Sequence, residues 1–432
     1  MFKRLTLPVT LAVSPAVFEC DRAPPGDAAD NPTVTVRDSA GVEIVENHAP
    51  EHPAESFWTV DPEPEFVLGG SEDLSGLADD SAQLIWRVAG LARLPDGRVA
   101  VLSSGSRQLM LFEPSGELSR IIGGPGEGPG EFTHPLALQH LPPDTLVVWD
   151  YFLSSIDHFD PDGNLLKERS LDFARMGVHG AGAESLRLPL PDGSFLAGVP
   201  NRTADESPGD CSHLAARGLS VALMGSPLRA EGMTVHGEEL LRIDDAYAAH
   251  SFGCARPYRT HLAAGGDPPS VYISNDHVEI RQRSLDGTLV RIIRRTTEPP
   301  PVTDKAWDAE LVHRAGNREM DGWPPRTVDG EPIPRREKYP AIESILVDTE
   351  GYLWVREWSE SESGLPDQWS VFSPEGRWLG VLSFPPDPAA PDLNLCERTG
   401  SNCRVGKDYF LVVRRDELGR ERVEGYRVRR GG

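Results

Sequence analysis

Arg87-Val-Ala-Gly-Leu-Ala-Arg-Leu94, Pro95-Asp-Gly97, Arg98-Val-Ala-Val-Leu102, then Gln108-Leu-Met-Leu-Phe112, Pro114-Ser-Gly116 and Glu117-Leu-Ser-Arg-Ile-Ile122 make up one unit of this chain. Each apolar run is short and rich in residues that suit strands. The Asp-Gly and Ser-Gly pairs between them tolerate the positive φ that a tight hairpin needs. The reading is strand, turn, strand, loop, strand, turn, strand. The pattern returns at Leu136–Leu141, Thr145–Trp149, Ser155–Phe159 and Leu165–Arg169, and again at Ser185–Leu190 and Ser194–Val199. Later copies are Ser270–Ser274, Val278–Arg283 and Val290–Arg294, then Ile342–Asp348, Tyr352–Glu357, Gln368–Phe372 and Trp378–Ser383, and finally Tyr409–Arg415 and Glu421–Arg429.

Four short antiparallel strands every 40 to 50 residues is the pattern of a propeller blade. The copies number six, so an all-β, 6-bladed β-propeller of four-stranded antiparallel blades is expected. The last copy lacks strands. Phe66-Val-Leu-Gly-Gly70 stands before the first unit as Ile121-Ile-Gly-Gly124 stands before the second. Residues 57–69 are therefore expected to supply the outer strand of the last blade and close the ring, which removes exposed sheet edges. Val34–Val36 and Val42–Glu46, turning at Asp38-Ser-Ala-Gly41, form an extra hairpin outside it.

Composition agrees. The chain has 432 residues with 39% hydrophobic and 42 glycines, which excludes wholesale disorder. Glycine and proline, 42 and 39, favour many turns over long helices. The net charge of −24 (43 basic against 67 acidic residues) argues against nucleic acid or an anionic membrane surface as partner.

Residues 1–20 read as an export signal, with Lys3 and Arg4 before the apolar run Leu5–Phe18, too short to span a bilayer. Cys20 is the candidate lipid anchor, and residues 21–32 form a polar linker before a domain over 33–432. Glu19 stands where a lipoprotein signal places a small residue. Setting Cys20 aside leaves Cys211, Cys254, Cys396 and Cys403, an even number that suits an oxidising compartment. Cys396 and Cys403 bracket a short loop, which a disulfide would stabilise by roughly 2–3 kcal/mol; Cys211 and Cys254 are then the second candidate pair. Three insertions, 201–218, 229–251 and 299–340, break the period. In the last, Thr303 is placed to cap a short helix from Asp304 to about Asn317, with Trp307, Leu311 and Ala315 on one face.

Val36-Arg-Asp-Ser-Ala-Gly-Val-Glu-Ile-Val-Glu-Asn47 and Gly123-Gly-Pro-Gly-Glu-Gly-Pro-Gly-Glu-Phe132 resemble segments of a family of bacterial 6-bladed β-propeller lipoproteins, related to NHL and TolB-like propellers. The resemblance implies the fold and an envelope location, in the periplasm or at the outer membrane. It implies no activity and no catalytic residues.

The local motifs have bland readings. Gly123–Gly130 fits neither G-x-G-x-x-G nor a P-loop and reads as a crossover between blades. His48-Ala-Pro-Glu51-His52 matches H-x-x-E-H, but Pro50 and Pro53 oppose the helix that zinc chemistry needs. Asp160-Pro-Asp-Gly-Asn164 begins like a calcium loop but has Leu171 in place of the bidentate glutamate. Trp149, Trp354 and Trp378 read as packing between blades. Asp348, with Arg87 or His134, is the candidate group for the central channel.

The expected function is a non-catalytic binding scaffold, a monomer whose partner is an envelope protein, peptide or carbohydrate, with no cofactor and with membrane contact only through the lipid anchor. The alternative is a metal-dependent hydrolase or lyase holding Ca²⁺ or Zn²⁺ in the channel.

Overall fold

Side chains along a strand alternate between two faces, and in the first unit both faces are apolar. A computed structural model shows why. It describes residues 32–69, 85–141, 143–170, 186–189, 195–200, 219–224, 261–274, 279–285, 288–296, 301–305, 307–308, 338, 341–357, 368–384, 403–415 and 419–431. The first sheet runs in order β5 (Val88–Arg93), β6 (Val99–Ser103), β7 (Gln108–Phe112), β8 (Leu118–Ile122), all antiparallel. β6 and β7 are buried at every residue, whereas the outermost strand β8 is largely exposed. Leu109 and Leu111 join one core with Leu138, Leu146, Val148 and Phe159 of the next sheet. Met110 and Phe112, pointing the other way, join a second core with Leu411, Val413 and Val423 near the C-terminus.

The remaining strands repeat this arrangement. The second sheet is β9 (Pro135–Leu141), β10 (Thr145–Asp150), β11 (Ser155–Phe159) and β12 (Leu165–Ser170). The third holds β13 (Leu186–Pro189), β14 (Phe195–Pro200) and β15 (Leu219–Met224), three strands among the described residues. The fourth contains β16 (His261–Gly265), β17 (Ser270–Ser274), β18 (Glu279–Ser284) and β19 (Leu289–Arg295). The fifth is β20 (Ile342–Val347), β21 (Leu353–Glu357), β22 (Gln368–Phe372) and β23 (Trp378–Ser383). The last has β24 (Cys403–Val405), β25 (Tyr409–Arg415) and β26 (Glu421–Arg429).

The fourth and fifth sheets share a core of Tyr272, Ile280 and Ile293 against Ile345, Val355, Phe372 and Trp378. The fifth and last share Trp354, Trp369, Val371 and Leu382 against Phe410, Val412 and Tyr426. Sheets stacked face to face through apolar cores make the molecule a β-propeller type.

Two N-terminal elements attach to this stack. β4 (Phe66–Gly69) pairs antiparallel with β26, Leu68 opposite Val423, and β3 (Thr59–Val60) pairs with the far end of the same strand. The sequence reading of one strand over 57–69 thus resolves into two short ones. The hairpin β1 (Val34–Ser39) and β2 (Val42–Asn47) joins the fourth sheet, β2 running parallel to β19. Buried Asn47 fixes it: its amide donates to the carbonyls of Arg294 and Gly376, and its Oδ1 accepts from Trp378 N at 2.8 Å.

Three strands were not anticipated from the sequence. β15 and β16 border the long insertions, and β24 is only three residues long. Asp304, Lys305, Trp307 and Asp308 are helical, with Trp307 N donating to the Thr303 carbonyl; the rest of the expected helix lies outside the described residues.

Candidate functional site

Within each meander, the second-to-third connection and the link onward to the next sheet fall at one end, and the two hairpin turns fall at the other. Pro95-Asp-Gly97 and Pro114-Ser-Gly116 belong to the turn end. The first strands of neighbouring sheets touch: a side chain on Gly90 would collide with Leu138. Residues preceding β5 and β9 therefore emerge side by side at the loop end.

There the two sheets use one design. In the first, Ser103 Oγ donates to the Trp86 carbonyl at 2.8 Å and accepts from Trp86 N and Ser106 N. In the second, Asp150 takes the same place and accepts from Thr133 N, Thr133 Oγ1, His134 N and Leu153 N at 2.7–3.0 Å. Ser104 N donates to the Arg87 carbonyl as Tyr151 N does to that of His134. Arg87 matches His134, Gly105 matches Phe152, and Arg107 matches Ser154. Arg107 and Ser154 share a left-handed backbone at φ 59° and 50°, and Arg87 has φ 53°. Non-glycine residues rarely adopt that region, and only one other described residue does, Ala40 in the β1–β2 turn.

The hydrogen bonds spend the polar backbone groups inward and leave aromatic rings outward. Trp86 is 52% exposed and Phe152 70%. The Arg87 guanidinium lies over the Trp86 ring, 5.1 Å from its centroid. Phe152 sits 5.1 Å from His134 and 4.9 Å edge-on from Tyr151. Beneath this loop, Asp157 is 2% exposed, and its Oδ1 and the buried Ser155 Oγ have no hydrogen-bond partner among the described residues. Desolvation, then the neighbouring charges of Glu168 and Asp150, push the Asp157 carboxyl up to about 7.

Asp348 does not meet Arg87 or His134. It follows a first strand, whereas they precede one, so a strand of about 20 Å separates the two ends. Asp348 is also fully engaged: it accepts from Glu350 N, Tyr352 N, Trp354 Nε1 and Arg430, whose guanidinium is 2.6 Å away and packs over Trp58 and Tyr352. Burial pushes its carboxyl up, with Arg430 pulling the other way. Among the described residues no three His, Cys, Asp or Glu side chains converge to hold a metal.

The other motifs are accounted for locally. Glu51 pairs with Arg377 at 2.5 Å, while His48 bonds Thr35 and His52 stacks on Phe57, so H-x-x-E-H fastens the N-terminal strap without forming a helix. In the glycine-rich run Glu131 accepts from Gly128 N, and a side chain on Gly126 would strike that same carboxylate. The loop folds around its own acid, which leaves no cradle for phosphate. Asp160 accepts from Asp162 N and Asn164 N, closing a hairpin turn.

Cys403, 1% exposed, is disulfide-bonded. Its partner is outside the described residues, as are Cys20, Cys211, Cys254 and Cys396. The sequence reading missed Trp86, Arg107 and Phe152. Only aligning the repeats on the residue before each first strand would have brought them together.

No known protein family matches the chain, and no curated protein matches it. Solved structures similar to it include a candidate exported protein from Bacteroides fragilis (14% identity, 90% of this chain and 99% of that one, TM-score 0.44). Others are the aldose sugar dehydrogenase of Streptomyces coelicolor (13%, 88% and 100%, TM-score 0.41) and a gluconolactonase from Xanthomonas campestris (15%, 88% and 99%, TM-score 0.36).

Proposed function

We propose that this chain is an exported binding scaffold of the bacterial envelope: one ring of six blades, closed by β4 against β26, that captures its partner on the loop end. The observation that carries this reading is the asymmetry between the two ends. Among the described residues the turn end is built of tight hairpins, while the loop end sets Trp86 and Phe152 outward on two adjoining sheets. Exposed aromatic rings beside cations that lack an acidic partner among the described residues are the composition of a recognition surface, since the rings bury large area at little entropic cost. The six sheets are read as six blades, with β24, β25, β26 and β4 forming the last.

The export reading rests on the N-terminal signal pattern and on the disulfide at Cys403, a bond that persists in oxidising compartments. Cys396 is its proposed partner and Cys211–Cys254 the second pair, with Cys20 as the lipid anchor. The test is a photo-crosslinking residue placed at Phe152 or at Pro95, the latter exposed at the turn end, in cells that express the chain. A discrete adduct from position 152 and none from 95 is expected. Equal labelling, or labelling from 95 alone, would overturn the assignment of the binding face.

A further inference from the structure

The loop end of the first two sheets carries more than exposed rings. Arg87 and Arg107 are both exposed, and neither has an acidic partner among the described residues. In this chain of net charge −24 many other arginines are matched: Arg291 with Glu43, Arg294 with Glu279, Arg414 with Glu424, Arg429 with Asp61. Arg87 is also pre-oriented. Its backbone is held in the left-handed region, and its guanidinium, a planar fork of N–H donors, lies over the Trp86 ring at 5.1 Å from the centroid. Such a fork matches a carboxylate, and stacking reduces the freedom lost when it binds. Beside it, on the next sheet, His134, Tyr151 and Phe152 form an edge-to-face array that a further ring would extend.

We infer that this patch binds a peptide segment in which a carboxylate stands next to an aromatic side chain, the carboxylate on Arg87 and Arg107 and the ring on Phe152 and its neighbours. The inference rests on the binding-face reading above and gives it a ligand chemistry. A sugar fits less well. Its hydroxyls need acidic or amide acceptors, and at this patch Asp150 already accepts four hydrogen bonds while Gln108 is buried. The strained backbone at Arg87, Arg107 and Ser154 is consistent with side chains held for a ligand.

The chemistry can come from a C-terminal aromatic residue or from an internal Asp-Phe pair. Two probes separate them: acetyl-Gly-Gly-Phe with a free carboxylate, and acetyl-Gly-Asp-Phe-Gly-amide. Ligand-observed NMR titration against the full chain is expected to show saturable binding of at least one probe. Amidating the first probe, or replacing Asp by Asn in the second, should weaken binding at least tenfold, and raised salt should weaken it too. Arg87→Gln and Phe152→Ala should each reduce binding about tenfold or more with the thermal midpoint unchanged, and Arg107→Gln gives an independent check. Equal binding of the carboxylate and amide forms would overturn the carboxylate site. Binding of a galacturonate trisaccharide with neither peptide bound would replace the peptide by an acidic sugar. If no probe binds while the crosslinker at position 152 still traps a partner, this inference fails and the binding face stands. If that adduct is also absent, both fail.

Discussion

Asp157 shows how a single residue reports on the packing of two sheets. Its carboxyl faces the core between the first and second sheets, and burial raises it to about 7. The folded chain therefore holds a proton, between roughly pH 4 and 7, that the unfolded chain has released. The stability contributed by this group is full below that window, falls as pH rises through it, and is constant above. Urea titrations at pH 5 and pH 8 are expected to show wild type losing about 2–3 kcal/mol relative to Asp157→Asn over that interval. Parallel pH dependence in the two proteins would show that the carboxyl is solvated. Asp348 makes the contrasting case, a buried acid held by Arg430 and three further donors. Arg430→Ala leaves that acid buried without its cation and is expected to cost about 3 kcal/mol of unfolding free energy; a loss below 1 kcal/mol would mean that the pair is not formed. Neither role was legible in the sequence. An aspartate after a strand looks alike whether it points to a channel or into a turn, and only the packed neighbours decide.

Among the elements, strand existence was legible and strand membership was not. The hairpins from Val88 to Ile122 and from Ile342 to Ser383 match their reading to within a residue or two, because Asp-Gly, Ser-Gly and Glu-Gly turns bracket runs of alternating or continuous apolar residues. β24 escaped notice because three residues, Cys403-Arg-Val405, carry no period. The sheet that the N-terminal hairpin joins was equally hidden, since parallel pairing of β2 with β19 spans almost 250 residues and leaves no local trace. Its attachment depends on Asn47, whose three hydrogen bonds serve the fourth and fifth sheets. Asn47→Ala strands buried backbone groups and is expected to cost about 2 kcal/mol, with β1 and β2 amides losing exchange protection before those of β7. Uniform loss of protection across the molecule would show that the hairpin is not a separable strap.

At the scale of the whole molecule, apolar cores link the fourth and fifth sheets, the fifth and the last, the last and the first, and the first and second, and β4 brings residues from the start of the chain onto its final strand. The repeat in the sequence predicted that arrangement because each unit exposes two apolar faces, which only a neighbour on either side can cover. The proposed binding patch was not predicted, because exposure belongs to the assembled sheets and not to any one repeat. The proposed ring, closed by β4 against β26, would set the loops of the first two sheets at one rim. Hydrogen exchange of the native chain tests it directly. The amides of Val67 and Leu68 are expected to exchange in the same slow phase as those of Leu411 and Val423. Exchange of 66–69 at the rate of a free segment, while 421–429 stays protected, would contradict a ring closed by this strand.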